Sequence, residues 1–292
     1  MNQRKIGSTE VFNICEMIGP THDPAMIYPE LPAQEFAALA PQLSPAHYHS
    51  GNNRLIIGIQ IWVVKIGAEI IVIDTGVGNG KPRGLPRFNQ LNTLVMAWLQ
   101  AAGADPKDVT QVINTHMHGD HVGWNTVADG DGWAATFPNA QYWMPRKDYD
   151  WWKPRYVAAK GIGETEAFID AVDPLVSAGK VIFYEEGQVF APGLVAHAAY
   201  GHTPGMMRID LTSAGKKGIF CADIFHSPLQ ILRPDINTVI DIEQDVARAT
   251  RAAFLDHVAD TGTLVMPCHF GAPHAVHIVK EGVGYGFVPE GI

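Results

Sequence analysis

The chain has 292 residues, of which 47% are hydrophobic and 17% charged, a composition suited to a soluble protein with a large buried core. Its 30 acidic residues outnumber 21 basic ones and set the formal charge at −9. That excess argues against a nucleic-acid surface, which needs clustered lysine and arginine, and leaves open a neutral or cationic small substrate.

Val11 to Ile18, Ile56 to Ile66 and Glu69 to Ile73 read as strands because β-branched residues dominate them, and Gly67 between the last two marks a hairpin. Between the first two, Pro20 to Asn53 holds six prolines. It is expected to form an irregular excursion at about 20–53, with one short helix at Ala33 to Leu39. Excursions of this kind often cover sites. Asn92 to Ala102 carries Leu94, Val95, Trp98 and Leu99 at helical spacing and stops at Gly103. Strands are expected at Val109 to Asn114, Gln141 to Met144, Val181 to Tyr184, Leu194 to Ala199, Met206 to Leu211, Gly218 to Ala222 and Leu264 to Pro267. Helices are expected between Glu164 and Ser177 and from about Glu243 to Ala259. Strands and helices alternate through both halves. This pattern predicts one domain over residues 1–292, with two sheets packed together and helices outside.

Thr115-His116-Met117-His118-Gly119-Asp120-His121 follows directly on one of these strands. Three imidazoles and a carboxylate within six residues would be costly to bury without a cation, so a divalent metal is the natural partner. Four ligands are too many for one ion. His116 and His118 can point at one metal from the strand end, while Asp120 and His121 reach a second round the turn at Gly119. Three later positions also put a ligand type where a strand gives way to a loop. They are His202 in Gly201-His202-Thr203-Pro204-Gly205, Asp223 after Ile219 to Ala222, and His269 after Leu264 to Cys268. The His47-x-His49 pair lacks a nearby acid and is not expected to bind metal. Cys15, Cys221 and Cys268 are odd in number and widely spaced, so they read as reduced core thiols.

In this order the residues resemble the metallo-β-lactamase superfamily, whose His-x-His-x-Asp-His signature is matched by His116, His118, Asp120 and His121. The match runs from about Ile56 to His277 and includes the Asp74-Thr75-Gly76 turn. The resemblance implies a four-layer αβ/βα sandwich with two metals at the open edge of the sheets. His116, His118 and His202 would hold the first metal and Asp120, His121 and His269 the second, with Asp223 bridging. Zinc is the first choice, and iron, manganese or cobalt suit the same ligands.

The expected function is then that of a dinuclear hydrolase, in which a metal-bridging hydroxide cleaves a small lactone or carboxylic ester while Asp120 steers its proton. The stretch Asp223 to Gln230, with His269 to Pro273, is similar to the lactonase-like and methyl-parathion-hydrolase-like branch. Organophosphate triester cleavage is therefore the alternative, and a non-catalytic metal-binding protein a second one. Quorum-signal lactonases commonly have Tyr three residues after the bridging acid. Here His226 stands there, either to donate a hydrogen bond to the substrate or only to orient a metal ligand. Trp151, Trp152 and Phe270 are candidate pocket walls. Only 23 residues follow His269, which leaves no room for the C-terminal helical domain of glyoxalase-II-type thioesterases. Met1 to Val11 lacks the apolar core of a signal peptide, and Leu55 to Ile66 is too short to span a bilayer. A cytoplasmic protein without membrane contact is expected, as a possible homodimer.

Overall fold

A computed structural model of the chain describes residues 1–159 and 166–291. The first sheet contains β1 (Asn2–Ile6), β2 (Thr9–Pro20), β3 (Tyr48–His49), β4 (Arg54–Ile66), β5 (Glu69–Ile73) and β6 (Gln111–Ile113). A separate hairpin follows, of β7 (Thr126–Asp129) and β8 (Gly132–Ala135), before β9 (Gln141–Pro145) and β10 (Val181–Tyr184) complete the sheet. Its order is β1-β2-β4-β5-β6-β9-β10, with β3 on β4. Pairing is antiparallel as far as β5 and parallel from β5 to β10.

The second sheet runs in simple chain order: β11 (Val189–Ala191), β12 (Leu194–Ala198), β13 (Met207–Ser213), β14 (Lys216–Phe220), β15 (Leu264–Met266), β16 (Val276–Glu281) and β17 (Gly284–Pro289). Only β14 and β15 pair in parallel, because α8 (named below) crosses between them.

Eight α-helices complete the described residues. α1 (Pro24–Ile27) and α2 (Ala33–Leu43) lie in the excursion. The others are α3 (Val95–Ala101), α4 (Gly119–Val122), α5 (Arg146–Ala159), α6 (Asp173–Ser177), α7 (Leu229–Leu232) and α8 (Gln244–Val258).

The period-2 alternation of the strands decides which layer each residue enters. On β4 and its neighbours Trp62, Val64, Ile71, Ile73 and Ile113 face the second sheet, meeting Leu194, Met207, Ile209, Phe220 and Met266. The intervening Val63, Val72, Val112 and Tyr142 face outward onto Val95 and Leu99 of α3, Trp152 of α5 and Leu175 of α6. Behind the second sheet Ile219, Val265 and Ile278 pack on Phe254, Leu255 and Val258 of α8. Helix, sheet, sheet and helix thus form four layers.

The strand expectations hold to within a few residues at each end, but several elements have no clear sequence signal. α5 contains Pro154 and mostly polar residues, and its buried side chains are Asp148 and Trp152. The β16–β17 hairpin is likewise unanticipated. α3 starts three residues later than its periodicity suggests, because Asn79 Oδ1 accepts from Thr93 N at 2.7 Å and holds that residue in the preceding loop. Of the helix expected from Glu164 to Ser177, the first two residues lie outside the described ones. Phe168–Val172 is a wider π turn that leads into α6.

Trp62 is fully buried between the sheets, its ring edge-on to Phe220 with centroids 5.6 Å apart. Trp62→Ala should cost roughly 3–5 kcal/mol of unfolding free energy by denaturant titration. A loss under about 1 kcal/mol would mean that the inter-sheet core does not carry the stability argued for it.

Candidate metal centre

All seven candidate ligands lie just past strand ends: His116 and His118 after β6 with Asp120 and His121 on the short α4 that follows, His202 after β12, Asp223 in a 3-10 turn after β14 and His269 after β15. Because β6, β14 and β15 open toward the same edge of the sandwich, residues up to 153 positions apart in the chain come together (His269 against His116).

Two half-shells result. His116, His118, His202 and Asp223 present donor atoms within 4.8 Å of one another, and Asp120, His121 and His269 do the same beside them. In the first, His118 Nδ1 lies 3.1 Å from His116 Nε2 and 2.9 Å from His202 Nε2. Asp223 Oδ2 faces both sets, 3.3 Å from His202 Nε2, 3.3 Å from His121 Nε2 and 2.9 Å from His269 Nε2.

Three of the imidazoles are held from behind through the other nitrogen, which sets the tautomer and aims the free nitrogen inward. His202 Nδ1 pairs with Asp241 Oδ1 at 2.9 Å, His121 Nδ1 with Asp74 Oδ2 at 2.9 Å and His269 Nδ1 with Gly58 O at 2.9 Å. Asp74, at φ +53, also accepts from Thr115 N and Thr115 Oγ1 and so ties the β5 turn to the ligand loop. Buried Asp148 on α5 accepts from Met117 N at 2.8 Å and Gly205 N at 3.2 Å, joining that loop to the His202 turn.

The glycines of the His202 turn are required by contact. A Cβ on Gly201, at φ +126, would lie 2.2 Å from Ala247 N, and one on Gly205 would lie 2.1 Å from Asp148 N. Gly119 is not under that constraint, since a Cβ there would meet Ala167 at an ordinary 3.5 Å. The forced position of this loop is Gly123, where a Cβ would fall 1.9 Å from Val77 O.

Burial disfavours charge throughout the cluster, and the carboxylates redistribute it. Burial, reinforced by neighbouring His202, pushes His118 down to about 3, and burial with His121 drives His116 well below its usual value. Burial would also lower His121, but Asp223, Asp74 and Asp120 raise it well above that value. Burial would raise Asp223, yet His121, His269 and His226 hold it far below the usual carboxylate range.

His121 Nε2 and Asp223 Oδ1 are buried with no hydrogen-bond partner, which is costly unless a cation takes them. Inward-facing imidazole nitrogens, depressed His116 and His118, and these two orphaned atoms fit a pair of divalent cations of the zinc type.

The half-shells form the floor of a cavity of about 350 Å³. Ile57, Ile59, Leu85, Phe88, Ile240 and Ile242 wall it, and the excursion adds His22 and Ile27. His226 reaches the floor, stacked on His269 at 5.0 Å, with its Nε2 3.3 Å from Asp223 Oδ2 and its buried Nδ1 without a hydrogen-bond partner.

The three aromatics expected in the wall are elsewhere. Phe270 is fully buried behind the site between His47 and Phe225. Trp152 backs the His118 ring at 5.4 Å, and Trp151 lies under the Arg155 guanidinium. Large aromatics beside a strand end are drawn into the core by their area, and aliphatic side chains are left to line the cavity. Cys221 is a core thiol, and the exposed His49 lies apart from the cluster. Asp241 and Gly58 O, which orient two of the ligands, carry no motif by which the sequence alone would reveal them.

Removing the carboxylate behind His202 tests the tautomer argument. Asp241→Asn should weaken metal binding about 10–100-fold in a chelator competition titration, and unchanged affinity would show that His202 needs no such partner.

A family profile described as the metallo-beta-lactamase superfamily matches residues 57–269. No curated protein matched the chain. Among solved structures, AidC, a dizinc quorum-quenching lactonase in complex with a product, superposes with a TM-score of 0.80 at 23% identity over 100% of this chain and 97% of that one. The hydrolase AbOPH of the β-lactamase superfamily gives 0.84 at 24% identity, covering 99% of this chain and 97% of its own. A probable metal-dependent hydrolase from Staphylococcus aureus gives 0.76 at 20% identity, covering 98% and 99%. With the profile spanning most of the sequence and the sandwich shared along its whole length, the chain belongs to the metallo-β-lactamase superfamily.

Proposed function

We propose that this chain is a dinuclear, zinc-dependent hydrolase that cleaves a small lactone or carboxylic ester. The observation that carries the reading is the shared oxygen of Asp223. It faces two half-shells whose orphaned atoms call for two cations, at the floor of an apolar-walled cavity sized for a small organic substrate. AidC, a quorum-quenching lactonase solved with its product, and an AiiA variant solved with N-decanoyl-L-homoserine at its active site share the fold.

In this reading His116, His118 and His202 hold one metal, Asp120, His121 and His269 the other, and Asp223 both. The pair supplies Lewis acidity and water activation near neutral pH. The chain's own residues do the rest. Asp241, Asp74 and the Gly58 carbonyl keep the imidazoles aimed, so the site needs no reorganisation during the reaction. Ile57, Ile59 and Phe88 exclude bulk water and favour an uncharged reacting bond. Asp120, on the cavity floor and partly exposed, is placed to accept a proton from the attacking water. Burial lowers the pKa of His226, so it enters neutral and can donate one N–H to the carbonyl or departing oxygen.

A panel of γ-lactones, aryl esters and phosphotriesters tests the class. Turnover of the first two should be lost on chelation and return with zinc, whereas metal-dependent turnover of phosphotriesters alone would replace this reading with the alternative. His226→Ala should lower kcat on lactones about 100-fold with little change in melting temperature. An unchanged kcat would show that His226 only props His269.

A further inference from the structure

The cavity wall is apolar except on one side. There His22, Arg83, Arg87 and Glu166 line it, so two arginines stand at the candidate site of a protein with net charge −9.

Two of these groups are already occupied. Arg83 grips Asp170 through both terminal nitrogens, Nη2 to Oδ1 at 2.9 Å, and buried Lys81 adds to that pair at 3.2 Å. Glu166 accepts from Gly84 N at 2.9 Å and 3.0 Å. Arg87 differs. Its one protein hydrogen bond among the described residues is a long 3.5 Å contact from Nη2 to Ile57 O, its guanidinium lies 5.1 Å from the Phe88 ring centroid, and it has no ion pair there. Burial lowers its pKa somewhat, and Asp120 partly offsets this, but a guanidinium stays charged under all ordinary conditions. Beside it His22 has a buried Nδ1 with no partner. Burial, then Arg87 and Arg54, lower its pKa and keep it neutral. Once Asp120 serves as a metal ligand its charge is engaged there, and Arg87 lines the cavity without an ion-pair partner among the described residues.

We propose that Arg87, with His22 as a neutral hydrogen-bonding neighbour, forms a carboxylate-binding subsite, so that the preferred substrate is an ester or lactone carrying a carboxylate beyond its scissile bond. This rests on the hydrolase reading above and deepens it. The acyl carbonyl would lie at the floor formed by the candidate metal ligands, the isoleucine wall takes a short apolar spacer, and Arg87 takes the far carboxylate in a paired, partly desolvated contact. The reaction adds one water across the acyl C–O bond, giving an acid and an alcohol, while the distal carboxylate only orients. Arg87 is thus a specificity residue, outside the bond-making chemistry.

The test uses zinc-loaded full-length protein and two esters that differ only in charge, mono-4-nitrophenyl glutarate and its methyl ester. The wild type should show a KM about tenfold lower for the anion at similar kcat, and Arg87→Gln should abolish that ratio while Arg87→Lys retains part of it. Calorimetric binding of glutarate against butyrate provides a second readout. Both acids offer one carboxylate to the metals, so wild type should bind glutarate about tenfold more tightly and Arg87→Gln should bind them equally. Equal KM values in the wild type, or a charge preference that survives Arg87→Gln, would overturn the subsite. If no ester is turned over at all, the hydrolase reading fails, and the glutarate comparison still decides the subsite by itself.

Discussion

One carboxylate oxygen, Asp223 Oδ2, has four imidazole nitrogens within 3.3 Å, from His121, His202, His226 and His269, in a place with almost no access to solvent. A single negative charge cannot satisfy that many donors, and protonating them all would bury several positive charges at several kcal/mol each. In the proposed reading two cations would resolve the conflict, because they would give the five ligand imidazoles and the orphaned Asp223 Oδ1 a partner at once. Much of the remaining structure keeps these groups in place. Asp241, Asp74 and Gly58 O fix the rings, and Arg251 and Thr238 N in turn hold Asp241.

The sandwich makes the arrangement affordable. Its two sheets bury Trp62, Val64, Ile71, Met207 and Phe220 between them, and helices cover both outer faces. The core is thus stabilised well away from the open edge, where polar burial is least favourable. Contacts without spare room, such as Gly201 on Ala247 and Gly123 on Val77, then transmit the rigidity of the layers to the ligand loops. The site belongs to loops, but these loops have little freedom.

The cluster of candidate ligands is legible in the sequence because metal chemistry demands a narrow set of residue types and strand ends are marked by runs such as Ile219 to Ala222 and Leu264 to Met266. Most strands are legible for the same reason, since period-2 burial leaves its trace in β-branched residues. What is not legible depends on distance in the chain. Asp241 finds His202 across 39 positions, and the carbonyl of Gly58 reaches His269 across 211, with no local signal of either. The cavity wall is opaque too. Phe270 and Trp152 look suited to a pocket, but their area pulls them into the core, and Ile57, Ile59 and Ile240 take the wall. α5 escapes notice because Pro154 and its polar face hide a helix that contributes only Asp148 and Trp152 to the interior.

The central claim is that this constellation exists to hold two cations, and the count of ions is its most direct measure. Plasma mass spectrometry of the purified full chain, after dialysis against trace zinc, should give two ions per chain, falling to one or fewer on Asp223→Ala. A wild-type count near zero, with melting temperature unmoved by added zinc, would contradict it.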